Sequence, residues 1–144
     1  MQVNNFLHDL LNDLLAAEGR SLLPRLVEAG VHVQAAEAAA FDTIRRLAAR
    51  QAQDRRRLVD VLLALGGEPR PAAADIQSAD FHFLNLSALL PRVIASQGEL
   101  VRRYERSIEA VADCPPVAEV VRDLADRHRA CTEVLEKLAA RIAS

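Results

Sequence analysis

Cysteine, proline and glycine are scarce in this chain of 144 residues, which holds two, six and five of them. If the two cysteines, Cys114 and Cys131, lie along one helix, a rise of ~1.5 Å per residue places them ~25 Å apart. A disulfide requires Cα atoms within ~7 Å of each other, so this spacing excludes an internal bridge. The low cysteine content also agrees with a reducing compartment.

The chain also lacks a strong charge of either sign and a long uncharged apolar stretch. Its 18 basic and 20 acidic residues leave a net charge of −2, which gives no overall attraction to nucleic acid or to an anionic membrane. No apolar run approaches the ~20 residues of a transmembrane helix. The N-terminal stretch MQVNNFLHDLLNDLL has no basic region typical of a signal peptide. These absences predict a cytoplasmic protein with no membrane segment.

Apolar residues, by contrast, make up 51% of the chain, and Leu and Ala dominate. Both are strong helix formers. Apolar positions recur at helical spacing almost throughout the sequence, and the length is sufficient for one domain with a hydrophobic core. This apolar content predicts an ordered chain. The sequence therefore predicts a single all-α domain over residues 1–144.

The apolar pattern and the positions of glycine and proline predict four long helices, named A to D. Helix A begins near Asn4 or Asn5, either of which can cap it, and it ends near Gly30. Pro115 and Pro116 suit the first turn of a helix, so they mark the start of the last one. The predicted ranges are 4–30 for helix A, 34–65 for helix B, 81–111 for helix C and 115–144 for helix D.

Residues 66–80, GGEPRPAAADIQSAD, form the one long connection. It can extend over ~50 Å at ~3.3 Å per residue, whereas a helix of about 30 residues is ~45 Å long. The connection can therefore return along the whole bundle, so that helices B and C run parallel. The other connections are short and make antiparallel hairpins. The sequence predicts an up-down-down-up four-helix bundle with a long B–C crossover.

This arrangement resembles the ferritin-like bundles, and its spacing is most similar to the bacterioferritin branch. The stretches that carry the resemblance are LNDLLAAE (11–18), LLALGGEP (62–69) and the crossover. The resemblance implies two irons in the bundle core. One carboxylate from each of two helices and a Glu-x-x-His pair from each of the other two would hold them.

Only one of the six corresponding positions carries the expected ligand type. Those positions are Glu18 on helix A, Gln51 and Asp54 on helix B, Gln97 on helix C, and His128 and Cys131 on helix D. Two divalent ions at close range need several carboxylates to offset their repulsion, whereas Gln51 and Gln97 carry no charge. The sequence therefore predicts a degenerate di-iron site without ferroxidase activity, in a non-enzymatic binding or scaffold module.

These polar positions fall at one level on the inward faces, and two interpretations remain open. In the first, they form a hydrogen-bonded polar core layer that fixes helix register. Leaving a buried polar group unpaired costs ~1–3 kcal/mol, and Arg55 would neutralise Glu18 or Asp54. In the second, a single Fe or Zn ion relates the protein to iron handling or oxidative stress. Its ligands would be Glu18, Asp54, His128 and Cys131.

Two prolines, Pro24 and Pro91, predict a local irregularity close to this layer. An interior proline removes a backbone hydrogen bond and costs ~3 kcal/mol or more. Because helices A and C are antiparallel, both kinks are expected at the same height, ~9 Å from the polar layer. We expect the bundle to widen there, either to house bulky side chains or to admit a ligand.

Helix B is locally basic, with six arginines at positions 45, 46, 50, 55, 56 and 57. Four acids interleave with them and there is no basic tail, so nucleic-acid association is a minor hypothesis. The resemblance implies that two bundles pair along helices A and B, and a homodimer is therefore expected. The sequence indicates no particular protein partner.

Overall fold

A computed structural model describes residues 2–28, 33–70 and 85–143 of the chain. Its helices are α1 (Gln2–Arg20), α2 (Leu22–Glu28), α3 (Ala38–Ala64), α4 (Leu86–Ala110) and α5 (Pro115–Ala143), and a short 3-10 turn (Ala35–Glu37) precedes α3. Helices α1 and α2 together correspond to the predicted helix A, and the other three to helices B, C and D. The described residues contain no strand, which confirms the all-α prediction.

The buried apolar residues form two clusters, one at each end of the bundle. Each of α3, α4 and α5 contributes one half of its length to each cluster. The first cluster joins α1 to the C-terminal halves of α3 and α4 and the N-terminal half of α5; it includes Leu11, Leu62, Leu100 and Leu124. The second cluster joins α2 to the N-terminal halves of α3 and α4 and the C-terminal half of α5; it includes Leu26, Ile44, Leu90 and Leu135.

The cluster in which each helix begins and the cluster in which it ends show the direction of that helix. The chain passes from the first cluster to the second along α1 and α2, and it returns along α3. Helix α4 again starts in the second cluster, so it runs parallel to α3, and α5 returns antiparallel to it. The up-down-down-up prediction is confirmed. The connection between α3 and α4 joins opposite ends of the bundle, and residues 71–84 of it lie outside the described ranges.

Helix α3 ends in a Schellman motif at Gly66 and Gly67. The Gly66 N–H donates to the Leu63 carbonyl at 3.0 Å and the Gly67 N–H to the Leu62 carbonyl at 2.9 Å. Gly66 has φ +80°, a left-handed conformation that favours glycine. A Cβ on Gly67 would lie 2.5 Å from Leu62 Cδ1 and 2.8 Å from His8 Cδ2. Gly66 is therefore favoured by its backbone conformation, and a larger residue at Gly67 would require the Leu62 and His8 side chains to move.

Helix α1 holds the first residues of the crossover against the bundle. His8 Nε2 donates to the Leu65 carbonyl at 2.9 Å. The buried Asn12 side chain donates to the Glu68 carbonyl at 3.1 Å and accepts from the Arg70 N–H at 2.8 Å. These bonds satisfy backbone groups that no helix or strand pairs, and they fix the path of residues 65–70 along α1.

None of the helices in the described ranges combines the length and the apolar content that crossing a bilayer requires. Cys114 and Cys131 are both free thiols, as their spacing predicts.

Candidate functional site

A polar layer separates the two apolar clusters at the middle of the bundle. It contains the buried residues Glu18, Ser21, Gln51, Asp54, Gln97 and His128 and the half-buried Cys131. The structure therefore brings together all six positions that correspond to the ligands of a di-iron site, and it adds Ser21. Each of the four predicted helices contributes at least one of these side chains.

Glu18 is the centre of the layer. Its Oε1 atom accepts a hydrogen bond from the Tyr104 hydroxyl at 2.7 Å and another from His128 Nε2 at 2.7 Å. All three side chains are buried, and the Tyr104 and His128 rings lie 5.0 Å apart between centroids. Burial and the Glu18 carboxylate raise the pKa of Tyr104 well above its ordinary value, so the phenol keeps its proton and remains a donor.

Asp54 forms a separate ion pair between α3 and α5. Its Oδ1 atom accepts from Arg127 Nε at 2.5 Å. Burial raises the pKa of Asp54, and the Arg127 hydrogen bond opposes that rise. The prediction that Arg55 neutralises Glu18 or Asp54 is wrong. Arg55 is exposed, because it follows Asp54 and so points ~100° away around α3.

Gln97 connects α4 to the two neighbouring helices. Its Oε1 atom accepts from the Ser21 hydroxyl at 3.0 Å, and its Nε2 atom donates to Cys131 Sγ at 3.4 Å. Burial raises the pKa of Cys131 to about 11, which keeps the thiol protonated at neutral pH. Metal binding by Cys131 would therefore have to displace the thiol proton, since thiolate is the form that binds.

Helix A is interrupted at Ser21, beside the polar layer. Pro24 has no N–H to offer the carbonyl four residues earlier, and that carbonyl belongs to Arg20, the last residue of α1. The Leu22 N–H donates instead to Ser96 Oγ at 3.1 Å. The Arg25 guanidinium donates to the Gly19 carbonyl from Nε at 3.2 Å and from a terminal nitrogen at 2.9 Å. Side chains thus satisfy the Leu22 N–H and the Gly19 carbonyl beside the break.

The two prolines, which predict kinks in helices A and C at one height, differ in whether they divide their helix. Helix α4 continues from Leu86 to Ala110 through Pro91 without interruption. The carbonyl four residues before Pro91 belongs to Ser87, in the first turn, where loss of one hydrogen bond does not divide the helix. The irregularity in helix A lies at Ser21, close to Glu18, rather than one and a half turns beyond it. Helix A is therefore divided beside the polar layer, whereas α4 is not divided at Pro91.

Within the described ranges, three buried side-chain atoms have no hydrogen-bond partner: Glu18 Oε2, Gln51 Oε1 and Gln51 Nε2. Gln51 lies between two cavities. A groove of about 400 Å³ separates helix A from α3, and Glu18, Gln51, Pro24, Arg25 and Ala52 are among the residues that line it. A second cavity of about 10 Å³ is lined by residues that include Gln51, Asp54, His128 and Cys131, and it has room for roughly one water molecule.

The chemistry of the layer does not fit the pair of irons that the resemblance implies. Its only carboxylates are Glu18 and Asp54, and each already accepts hydrogen bonds from other side chains. Gln51 and Gln97 are neutral. Across residues 2–28, 33–70 and 85–143, no group of three or more His, Cys, Asp and Glu side chains stands where it could hold a metal ion.

Comparison with known proteins identifies the architecture. No family model matches the sequence, and no curated protein matches it. The fold is similar to that of a ferritin-like, diiron-carboxylate protein from Bacillus anthracis str. Ames, with a TM-score of 0.77 and 19% sequence identity. The match covers 94% of this chain and 96% of that chain. The chain therefore adopts the ferritin-like four-helix bundle fold, as its sequence predicts.

Proposed function

We propose that this chain is a non-enzymatic, cytoplasmic bundle with a degenerate di-iron site, and that it acts as a binding or scaffold module. One observation carries the proposal. Glu18 is the one carboxylate that matches the expected ligand pattern, and its Oε1 atom accepts hydrogen bonds from Tyr104 and His128. The position that would otherwise supply a metal ligand is engaged in joining α1 to α4 and α5.

The ion pair between Asp54 and Arg127 supports the same proposal. Two buried acids need positive partners, because an isolated carboxylate is costly to remove from water. In a di-iron centre the metals supply that charge. Here Arg127 supplies it to Asp54, and Tyr104 and His128 donate hydrogen bonds to Glu18. The layer then serves to align the helices, and activity that requires two irons is absent.

Elemental analysis of the purified protein tests this proposal. We expect a metal content well below one ion per chain, unchanged by His128→Ala and by the control Lys137→Ala, which replaces an exposed residue of the same helix. One or more ions per chain, lost in His128→Ala and retained in Lys137→Ala, would contradict the proposal.

That contrary result would establish the second candidate, a protein that binds one Fe or Zn ion and is related to iron handling or oxidative stress. Two observations favour it. Asp54, His128 and Cys131 line one small cavity. Glu18, which does not line that cavity but is hydrogen-bonded to His128, has an unpartnered Oε2 atom. Binding by Cys131 would require loss of its thiol proton. Zn content that falls in Cys131→Ala as well as in His128→Ala would identify this site.

The proposal includes self-association as a homodimer along helix A and α3. Phe6 on α1 and Leu63 on α3 are large apolar side chains that are 50% and 54% exposed. Both lie on the helices along which ferritin-like bundles are expected to pair. Sedimentation equilibrium should give a dimer for the native protein and a monomer for a Phe6→Glu, Leu63→Glu variant. A native monomer would contradict this part of the proposal.

A further inference from the structure

The groove between helix A and α3 has features of a built binding site. Its lining includes two side chains, Glu18 and Gln51, that are each only 3% exposed. The unpartnered atoms of the layer, Glu18 Oε2 and both polar atoms of the Gln51 amide, belong to these two residues. Buried polar groups in folded proteins normally have partners. The two residues therefore contribute one carboxylate oxygen, one amide oxygen and one amide nitrogen that nothing in the described chain pairs with, and all three atoms are closed to solvent.

The rim of the groove adds a cation. Arg55 lines it from α3, is exposed, and makes no hydrogen bond or ion pair with the described part of the chain. Arg25, by contrast, is held by the Gly19 carbonyl. Pro24 and Ala52 supply small apolar surfaces between the floor and the rim. Glu28 also lines the groove, so its edge carries an acid as well as Arg55, and the Glu18 carboxylate lies at its floor.

We propose that this groove binds a small free α-amino acid. The ammonium group lies toward Glu18 Oε2 and Gln51 Oε1, and the carboxylate lies toward Gln51 Nε2 and Arg55. A short side chain packs on Pro24 and Ala52. This inference rests on the proposed function as a binding module, and it names the ligand class.

A zwitterion fits this arrangement better than a simple cation or anion. An ammonium group alone would leave Gln51 Nε2 and Arg55 without an acceptor, and a carboxylate alone would face the Glu18 carboxylate. Charge-assisted hydrogen bonds at both ends would satisfy the three unpartnered atoms and Arg55, which has no partner among the described residues. The volume of about 400 Å³ lies within the range of small-molecule sites.

Binding includes a rotation of the Gln51 side chain. Its amide atoms and Glu18 Oε2 lie beneath the surface of the groove and are closed to solvent. Because the Gln51 amide makes no hydrogen bond in the described structure, its rotation breaks none. The ligand supplies partners to atoms that have none in the free protein. Binding therefore does not compete with the hydrogen bonds that Glu18 Oε1 accepts from Tyr104 and His128.

Titration calorimetry with three matched compounds tests the proposal on the full chain. L-alanine carries both charges, L-alanine methyl ester carries only the ammonium group, and N-acetyl-L-alanine carries only the carboxylate. We expect saturable binding of L-alanine and binding at least about 10-fold weaker for each blocked compound, as expected for loss of a charged hydrogen-bonding partner. No saturable binding of L-alanine, or equal binding of either blocked compound, would overturn the proposal.

Two variants on exposed positions of α3 locate the site. Arg55→Gln should weaken L-alanine binding about 10-fold or more, and Arg56→Gln should leave it unchanged, because Arg56 does not line the groove. If the two variants changed L-alanine binding equally, the amino acid would not bind in this groove. Gln51→Leu should abolish binding, and Arg55→Gln provides the test if that variant fails to fold. A negative result in calorimetry would not refute the proposed function, because that proposal is tested by the metal content of the protein.

Discussion

The apolar clusters and the polar layer are built on the same helices but hold them together in different ways. The clusters stabilise the bundle through close packing and the removal of apolar surface from water, which is not directional. The layer instead joins particular pairs of side chains, such as Glu18 with His128 and Asp54 with Arg127. A slide of one helix by one turn, ~5.4 Å, breaks each of these pairs. We infer that the clusters supply most of the stability and that the layer sets the register.

The layer itself contains two kinds of member. Glu18, Asp54 and Gln97 make hydrogen bonds to neighbouring helices, whereas the amide of Gln51 makes none with the described residues. Replacing a bonded member leaves its partner unpaired in a buried site, and replacing Gln51 does not. Replacing a polar residue of the layer by an apolar one should therefore destabilise the protein at Glu18, Asp54 or Gln97 but not at Gln51.

The largest expected effect comes from truncation of both apolar clusters. Leu62→Ala in the first cluster and Val93→Ala in the second should lower the free energy of unfolding by about 3 and about 2 kcal/mol. Because the two sites share no partner, the double variant should lose the sum to within ~0.5 kcal/mol. Urea denaturation measures all three. The exposed Leu63 gives the control, since Leu63→Ala should change stability by less than ~0.5 kcal/mol. A deviation from additivity above ~1 kcal/mol would contradict the separation of the clusters.

The next effect tests the ion pair of the layer. Arg127→Leu should lower the free energy of unfolding by about 2–3 kcal/mol, because it leaves Asp54 buried without its partner. The Asp54→Leu, Arg127→Leu double variant should recover most of that loss. Chemical denaturation of the single and double variants distinguishes them. A double variant less stable than Arg127→Leu would mean that the pair stabilises the fold more than apolar packing can.

A smaller effect is expected from the Glu18 network. Tyr104→Phe keeps the aromatic ring in the first cluster and removes one of the two donors to Glu18 Oε1, so it should cost about 1–2 kcal/mol. The NMR resonances of the His128 ring should shift in the same variant, because the two rings are in contact. Unchanged stability together with unchanged His128 resonances would show that the hydroxyl contributes nothing to the layer.

The smallest effect, and the one with a different sign, is expected at Gln51. Gln51→Leu removes two polar atoms that have no partner in the described structure, so stability should change by less than ~1 kcal/mol or rise. Thermal and urea unfolding provide the comparison with Tyr104→Phe. A loss above ~2 kcal/mol would show that the Gln51 amide has a partner in solution.

The bundle topology and the level of the polar layer follow from the sequence because they depend on periodicity and chain length. Inward positions on four helices can be placed from the 3.6-residue period, and Gly66 and Gly67 mark the end of α3. The length of the crossover separates an up-down-down-up bundle from a simple antiparallel one. These features require no knowledge of how individual side chains pair.

The pairs themselves could not be read from the same pattern. Tyr104 lies two turns after Gln97 and counts as an apolar core position. Its long side chain nevertheless reaches Glu18, in keeping with the tilt of helical side chains toward the helix N-terminus. Arg127 and Arg55 both flank inward positions, and periodicity does not decide which of them meets Asp54. The break at Ser21 depends on Ser96 and Arg25, which pair with backbone groups that only the folded chain brings near them.

A crystal structure of the purified protein, with anomalous diffraction recorded at the iron and zinc absorption edges, tests the central claim most directly. The account predicts no anomalous peak in the polar layer, with Glu18 Oε1 in hydrogen-bond contact with both Tyr104 and His128. A peak between Glu18 and His128 at either edge, with the carboxylate turned toward it, would contradict the account.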